Sequence, residues 1–329
     1  MTITRRAFAA TLPALAAFRP ALAQAVTMQL TSTASNDLDE AWLKSFKAAV
    51  ESGSQGQIRA NVYPGSQLGS GQTTIEGVAL GTIEVACNAS GLYESLEPRF
   101  ACLAVPGLVP TIDQGQKLLL LPEVRAMLDT VGRDKGVQVL TTLLQSPGAI
   151  VSRRPIKALA DLNGMKIRVP GSASLIEQLK KLGAAPIAMS LGEVLPAFQN
   201  GTIDGVFAGT TIFTALKYYD ISKNMTLLPD TFLAMVAIIN SDFVKGLGKR
   251  GQVVLDAAHT ADTEGVPWGD KDIAEAEKLW SGNGGQTYRL SDTDGKSYLD
   301  QVIPVALKGL TPAARKDYDV LKAAAAKVT

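Results

Sequence analysis

Histidine occurs once in this 329-residue chain, at His259, and cysteine only at Cys87 and Cys102. A Ser-His-Asp or Cys-His catalytic set would have to use that single imidazole, and no nucleophile-elbow sequence accompanies it. No CxxC, HxxxH or DxDxDG spacing offers ligands to a metal. Gly65, Gly69 and Gly71 are not followed by Lys-Ser/Thr and lack dinucleotide-fingerprint spacing, so there is neither a Walker loop nor a Rossmann turn. No metal, no cofactor and no enzymatic activity are therefore expected. A surplus of one charge is missing too: 32 Lys and Arg face 31 Asp and Glu. That balance gives no electrostatic footprint for nucleic acid or an anionic membrane. Repeats and low-complexity linkers are absent, as is, after residue 24, any uncharged apolar run of the roughly 18 residues a membrane span needs.

What is present is globular. With 46% hydrophobic and 19% charged residues the chain can build cores, and its length suggests about two domains at roughly 150 residues each. Residues 1–23 read as an export signal. Arg5 and Arg6 form its basic start, the apolar stretch Ala7 to Phe18 is too short to span a bilayer, and Ala21-Leu22-Ala23 is a cleavage site leaving Gln24 first. Thr4-Arg5-Arg6-Ala7-Phe8, with Arg19 ahead of the cleavage site, resembles a twin-arginine signal. An ordinary secretory signal with two adjacent arginines is the alternative. Loss of three arginines takes the formal charge from +1 to −2. An exported, soluble protein without a lipid anchor is expected. In an oxidising compartment Cys87 and Cys102 could bridge; two buried thiols on neighbouring strands is the plainer reading.

Strand and helix patterns then alternate, which implies βαβ units, parallel sheets and an α/β class. "VTMQLTS" and "QIRANVYP" read as strands around a helix over 36–52, with Trp42, Phe46, Ala49 and Val50 on one face and Asn36 or Asp37 as its cap. A short helix over 72–80 ends at Gly81. "TIEVACNA", "FACLAVPG" and "GVQVLTTLL" read as further strands, and Pro122 opens a helix. From about residue 146 a second block repeats the pattern: strand "GMKIRVP", a helix capped by Ser172, the capping box Ser190-Leu191-Gly192-Glu193, strand "TIDGVFAG", the apolar run "FLAMVAIINSDFV" and a long helix from about 252 to 280. The missing linker suggests a chain that crosses between two lobes more than once.

Arg168 is the most informative residue. It stands in "KIRVP", near the carboxyl end of a strand that should be buried on both faces and apolar. Ligands of open α/β sheets bind at those ends, and a guanidinium fork matches a carboxylate. An internal salt bridge or a surface arginine is the competing reading.

Two long motifs carry a family resemblance. "NVYPGSQLGSGQTTIEGVALGTIEVA" (61–86) and "DLNGMKIRVPGSASLIEQLKKLGAAPIAMSLGEVLPAFQNGTIDG" (161–205) resemble the extracytoplasmic solute-binding proteins of TRAP transporters, the dicarboxylate-receptor (DctP-type) family. The resemblance covers roughly 26–310. It implies a two-lobed periplasmic-binding-protein fold, each lobe a mostly parallel sheet flanked by helices, with hinge strands and a long connecting helix. The lobe boundaries expected are 24–145 with 234–273, and 146–233 with 274–329. It implies a periplasmic receptor that closes on a small organic acid and hands it to TRAP permease membrane subunits, as a monomer or weak dimer. A sensory protein presenting the same ligand to a signalling receptor is the alternative. Arg168 falls on the arginine that grips the carboxylate. The chain departs from the pattern elsewhere: Asp204-Gly205 is followed by Val206-Phe207-Ala208, Gly148 takes the place of a second arginine, and Asn88, Ala89 and Ser90 replace acidic contacts. A ligand with one carboxylate and an apolar or aromatic body follows. By position Ser32, Asn88, Ser90, Tyr93, Phe207, Thr210 and Phe232 are candidate wall residues, each with core packing or a turn as the alternative role.

Overall fold

The computed structural model describes residues 25–328, so the expected export signal at 1–23 lies outside the described residues. The elements are β1 (Val26–Ser32), α1 (Leu38–Gly53), β2 (Ile58–Tyr63), α2 (Gly71–Leu80), β3 (Val85–Ala89), α3 (Ile112–Leu120), α4 (Pro122–Leu128), β4 (Val137–Ser152), β5 (Lys166–Val169) and α5 (Ala173–Lys181). They continue with β6 (Ala185–Ala188), α6 (Leu191–Gln199), β7 (Gly205–Gly209), α7 (Thr210–Ala215), β8 (Asn224–Asn240), α8 (Ser241–Gly246), α9 (Arg250–Gly282), β9 (Gln286–Arg289), α10 (Asp292–Gly309) and α11 (Pro312–Ala325). Local chemistry sets the helix starts. Asp37 accepts from Glu40 N at α1, Ser172 accepts from Leu175 N at α5, Ser190 and Glu193 form a reciprocal box at α6, and Pro122 occupies the first turn of α4.

The nine strands form one sheet in the order β2-β1-β3-β8-β4-β7-β5-β6, with β9 beside β8. The flanks β2-β1-β3 and β6-β5-β7 are parallel, as expected. The middle, β3-β8-β4-β7, is antiparallel, because β4 and β8 run between the two halves in opposite directions. At 16 and 17 residues they exceed ordinary strand length. Their pairing shifts register at Val139/Thr141, Leu144/Ser146 and Pro147/Ala149. These crossing strands separate lobe 1, around β2-β1-β3, from lobe 2, around β7-β5-β6. Helix α9, 33 residues and about 50 Å long, packs on α1 of lobe 1 and on α7 and β9 of lobe 2.

Each lobe buries both faces of its sheet. In lobe 1 Val85, Cys87, Met235 and Ala237 enter a core with Trp42 and Phe46, whereas Ala86, Val236 and Ile238 enter the opposite one with Phe100 and Leu118. In lobe 2 Ile150, Ile167 and Phe207 face Leu179 and Val302, and Val151, Val206 and Ala208 face Phe198 and Phe213. Alternation with period two, apolar on both faces, is the mark of a doubly covered sheet.

Two expectations need correction. Residues 98–104 form a 3-10 helix, not a strand: Pro98 fixes its first turn and the Glu97 carboxylate accepts from Arg99 N. Cys102 therefore does not lie on a strand beside Cys87. Both thiols are buried and free, in cores on opposite faces of the sheet, and burial pushes both thiols' pKa up. The C-terminal segment also divides. Helix α10 packs on α5 in lobe 2, but α11 packs on α3, α4 and the 98–104 helix in lobe 1. Asp317 of α11 takes a bidentate pair from Arg99, at 2.6 and 2.9 Å. The boundary that kept all of 274–329 in lobe 2 does not describe this packing.

Candidate binding cleft

A cleft of about 280 Å³ opens between the lobes where strands end and helices begin. Lobe 2 contributes Arg168 in β5 and Pro170 after it, Met189 and Ser190 between β6 and α6, and Phe207 to Gly209 at the end of β7. Lobe 1 contributes Thr33, Ala34 and Asp39 around the start of α1, and Ser70 to Gln72 at the start of α2. Gln145 and Leu233 enter from the crossing strands. This is the carboxyl-end crevice that open α/β sheets offer. At Gly171 the position of a Cβ is taken by the side-chain amide of Gln72 from the other lobe, so the two lobes approach closely there.

Arg168 is held from below. Its Nε donates to Met189 O at 3.0 Å and its Nη1 to Phe207 O at 3.4 Å. The residue is 5% exposed. Among the described residues no carboxylate lies within ion-pair distance of it. Burial lowers its pKa to about 10, which leaves it cationic at neutral pH. Neither competing reading of this arginine describes what is seen, since it is neither salt-bridged nor on the surface. The buried Tyr218 lies near enough to feel its charge, although burial dominates and pushes that phenol up to about 12.

Across the cleft Asp39, in the first turn of α1, and Asp37, the cap of that helix, are both buried. The Gln145 amide donates to Asp39 Oδ1 at 2.9 Å and Asp37 Oδ2 at 3.4 Å. Burial, with Asp272 and Glu40 nearby, raises Asp37 to about 7. Burial and the neighbouring Asp37 push Asp39 well above the usual carboxylate range. Hydrogen bonds also join the lobes directly. Glu94 of lobe 1 accepts from Ser172 Oγ at 2.6 Å and from Ser174 N and Oγ at 3.1 Å, so it caps α5 of lobe 2.

Of the wall residues named from sequence, Arg168 and Phe207 line the cleft. Four others lie behind it. Ser32 donates to Ala34 O and Asn88 Oδ1 accepts from Thr33 N, so both shape the β1–α1 loop. Ser90 and Thr210 are buried next to the lining residues Ala89 and Gly209. Tyr93 and Phe232 stand elsewhere. The Tyr93 hydroxyl sits 2.7 Å from Val236 O and 3.0 Å from Ala86 O inside a lobe 1 core. Phe232 lines a separate small cavity with Leu103, Val109 and Leu321. Asp39, Gln145, Ser70 and Gln72 were not anticipated. The signal available was Gln145, a polar residue inside the apolar run of β4; Asp39 reads from sequence only as a favourable first-turn acid.

Three comparisons bear on this architecture. The profile of "bacterial extracellular solute-binding protein, family 7" matches residues 30–308. The chain is 28% identical over 227 residues to the 2,3-diketo-L-gulonate-binding periplasmic protein of Escherichia coli, covering 68% of each chain. It is 28% identical over 231 residues to the ectoine/5-hydroxyectoine-binding periplasmic protein of Ruegeria pomeroyi, covering 69% of this chain and 67% of that one. The fold is similar to that of a TRAP periplasmic solute-binding protein from Desulfovibrio salexigens with bound orotic acid. There the TM-score is 0.86 at 21% identity, with 92% of this chain and 99% of that one covered.

Proposed function

The chain belongs to the bacterial extracellular solute-binding protein family 7, and on that premise we propose that it is a periplasmic receptor which closes its two lobes on a small organic acid and delivers it to TRAP-type membrane subunits. Two relatives are named for their periplasmic place and their ligands. Among the described residues no helix is long and apolar enough to cross a membrane, which suits a carrier that works with separate membrane subunits. The chain acts by binding rather than turnover.

The observation that carries the reading is Arg168, a buried cation in the cleft with carbonyl partners and no carboxylate of the described chain. A buried unpaired charge is costly, and a ligand carboxylate supplies the missing partner through charge-assisted hydrogen bonds. Among the described residues only one such cation lines the cleft. At Gly148, where a second arginine was sought, a Cβ would meet Thr231 Cγ2 at 2.9 Å and Leu233 Cδ1 at 3.1 Å. Leu233 itself lines the cleft, along with Phe207, Met189 and Leu92. One carboxylate on a largely apolar body is the ligand this wall accommodates.

Denaturing mass spectrometry of the purified protein should release a monocarboxylic acid. For protein that purifies empty, a thermal-shift screen of carboxylic acids should find one. Titration calorimetry with that acid should then show Arg168→Ala weakened by about a hundredfold or more. Equal affinity in the variant overturns the assignment of Arg168.

A further inference from the structure

We infer that the ligand carries a second polar group, an N–H donor and above all an ammonium, at the end away from its carboxylate, and that Asp39 receives it with Gln145 as the positioning residue. The inference rests on the reading of Arg168 as the carboxylate's partner, and it names the substrate class: zwitterionic or amine-bearing acids with a compact apolar middle.

Asp39 lines the same cleft as Arg168, but from lobe 1. It is 1% exposed, so little water reaches its carboxylate. Oδ1 takes the Gln145 amide, and among the described residues Oδ2 has no donor. Gln145 orients this carboxylate. Its amide nitrogen reaches both Asp37 and Asp39 and is held between two acceptors. No lysine or arginine of the described residues pairs with either aspartate. The two lobes are therefore complementary in what they lack. Among the described residues lobe 2 presents a buried guanidinium with no acid paired to it, and lobe 1 presents one buried carboxylate, Asp39, with no base paired to it. Each charge alone is expensive to keep from water. A single ligand carrying both charges relieves both costs when the lobes close, whereas a simple acid relieves only one. Leu92, Met189, Phe207 and Leu233 add apolar wall to the same cleft, against which the ligand's middle can pack.

The test compares matched probes by titration calorimetry: 4-aminobutanoate, 5-aminopentanoate and 6-aminohexanoate against pentanoate, hexanoate and heptanoate, in which a methyl replaces the ammonium. At least one amino acid should bind about tenfold or more tighter than its partner, since charged hydrogen bonds discriminate on that scale. Asp39→Asn, which keeps the shape, should shrink that preference to about threefold or less. Gln145→Leu, which removes the orienting amide, should shrink it as well, and serves if Asp39→Asn folds poorly. A preference that survives both variants overturns the inference, as does an alkanoate that binds equally well, or a panel in which nothing binds. Alkanoates that bind through Arg168 without any gain from the ammonium sink the inference and spare the receptor reading. A probe that binds equally to Arg168→Ala overturns the assignment of Arg168 on which the inference rests.

Discussion

In lobe 2 the cation facing the cleft is, among the described residues, one guanidinium on a strand, steadied by two main-chain carbonyls. In lobe 1 the charge is the Asp39 carboxylate in the first turn of α1, joined by one glutamine amide to Asp37, the cap of that helix. Burial moves both toward neutrality, but to different ends. Arg168 falls only to about 10 and stays charged at any physiological pH. Asp37 rises to about 7 and so titrates near neutrality. The helix N-terminus favours negative charge at Asp37 and Asp39, yet it does not outweigh desolvation there. Lobe 2 thus offers a fixed anchor, while lobe 1 offers a site whose charge state answers to pH and to what binds.

The largest effect should come from breaking the fixed anchor. Arg168→Ala should cost about 3–5 kcal/mol of ligand binding, the range for removing one partner of a buried charged pair. The ligand-free protein should lose less stability, because among the described residues the guanidinium gives up two carbonyl hydrogen bonds and no ion pair, and a buried unpaired charge goes with them. Calorimetry on both proteins, paired with urea unfolding without ligand, separates the two losses. A stability loss as large as the binding loss would mean that Arg168 is a structural residue.

The adjustable pole predicts a pH dependence. Unfolded, Asp37 titrates near 3.8; folded, near 7. Between those values the folded state holds a proton that the unfolded state has released, so this group makes stability fall as pH rises. The slope is at most about 1.4 kcal/mol per pH unit for one group. Asp39, Glu40, Asp272 and the buried Cys87 and Tyr93 face the same region, so the clean measurement is a difference. Urea unfolding of the ligand-free protein should show Asp39→Asn gaining on wild type from pH 4 to pH 8. A constant gap across that range contradicts a raised carboxylate.

Much of the fold was legible because it rests on local chemistry: caps at Asp37, Ser172 and Ser190, a proline at a helix start, and strands apolar on both faces. Arg168 was legible for the complementary reason, as a charge in a strand where only apolar residues belong. The rest depends on contacts between distant segments. Nothing in "FACLAVPG" distinguishes an apolar strand from a 3-10 turn until Glu97 and Pro98 cap it. No local pattern tells α11 to return to lobe 1, where Arg99 meets Asp317. Asp39 looked like ordinary dipole complementation, and only the closeness of Gln145, a hundred or so residues onward, makes it a wall of the cleft.

Closure supplies the next test. Glu94 reaches across from lobe 1 to Ser172 and Ser174, with three donors on one carboxylate. Glu94→Gln keeps the size but loses the charge, and charge-assisted bonds of this kind contribute about 1–2 kcal/mol. If the contact belongs to the closed state, ligand affinity should fall about five- to thirtyfold. Small-angle scattering of the ligand-saturated variant should still report the closed radius. A variant with wild-type affinity would show that the lobes meet there without consequence for binding.

Tyr93 gives the smallest effect and the sharpest contrast with Arg168. Both are buried polar side chains that bond main-chain carbonyls. Arg168 keeps part of its guanidinium for the cleft, whereas the Tyr93 hydroxyl points at Ala86 O and Val236 O inside a core. Tyr93→Phe should therefore cost about 1 kcal/mol of stability, the ordinary net value of a buried hydrogen bond. Ligand affinity should stay within about twofold of wild type, as for a substitution remote from the bound molecule. Urea unfolding and calorimetry on one preparation decide it. A binding loss larger than the stability loss would return Tyr93 to the wall of the cleft and show that the lobe 1 core moves when the ligand enters.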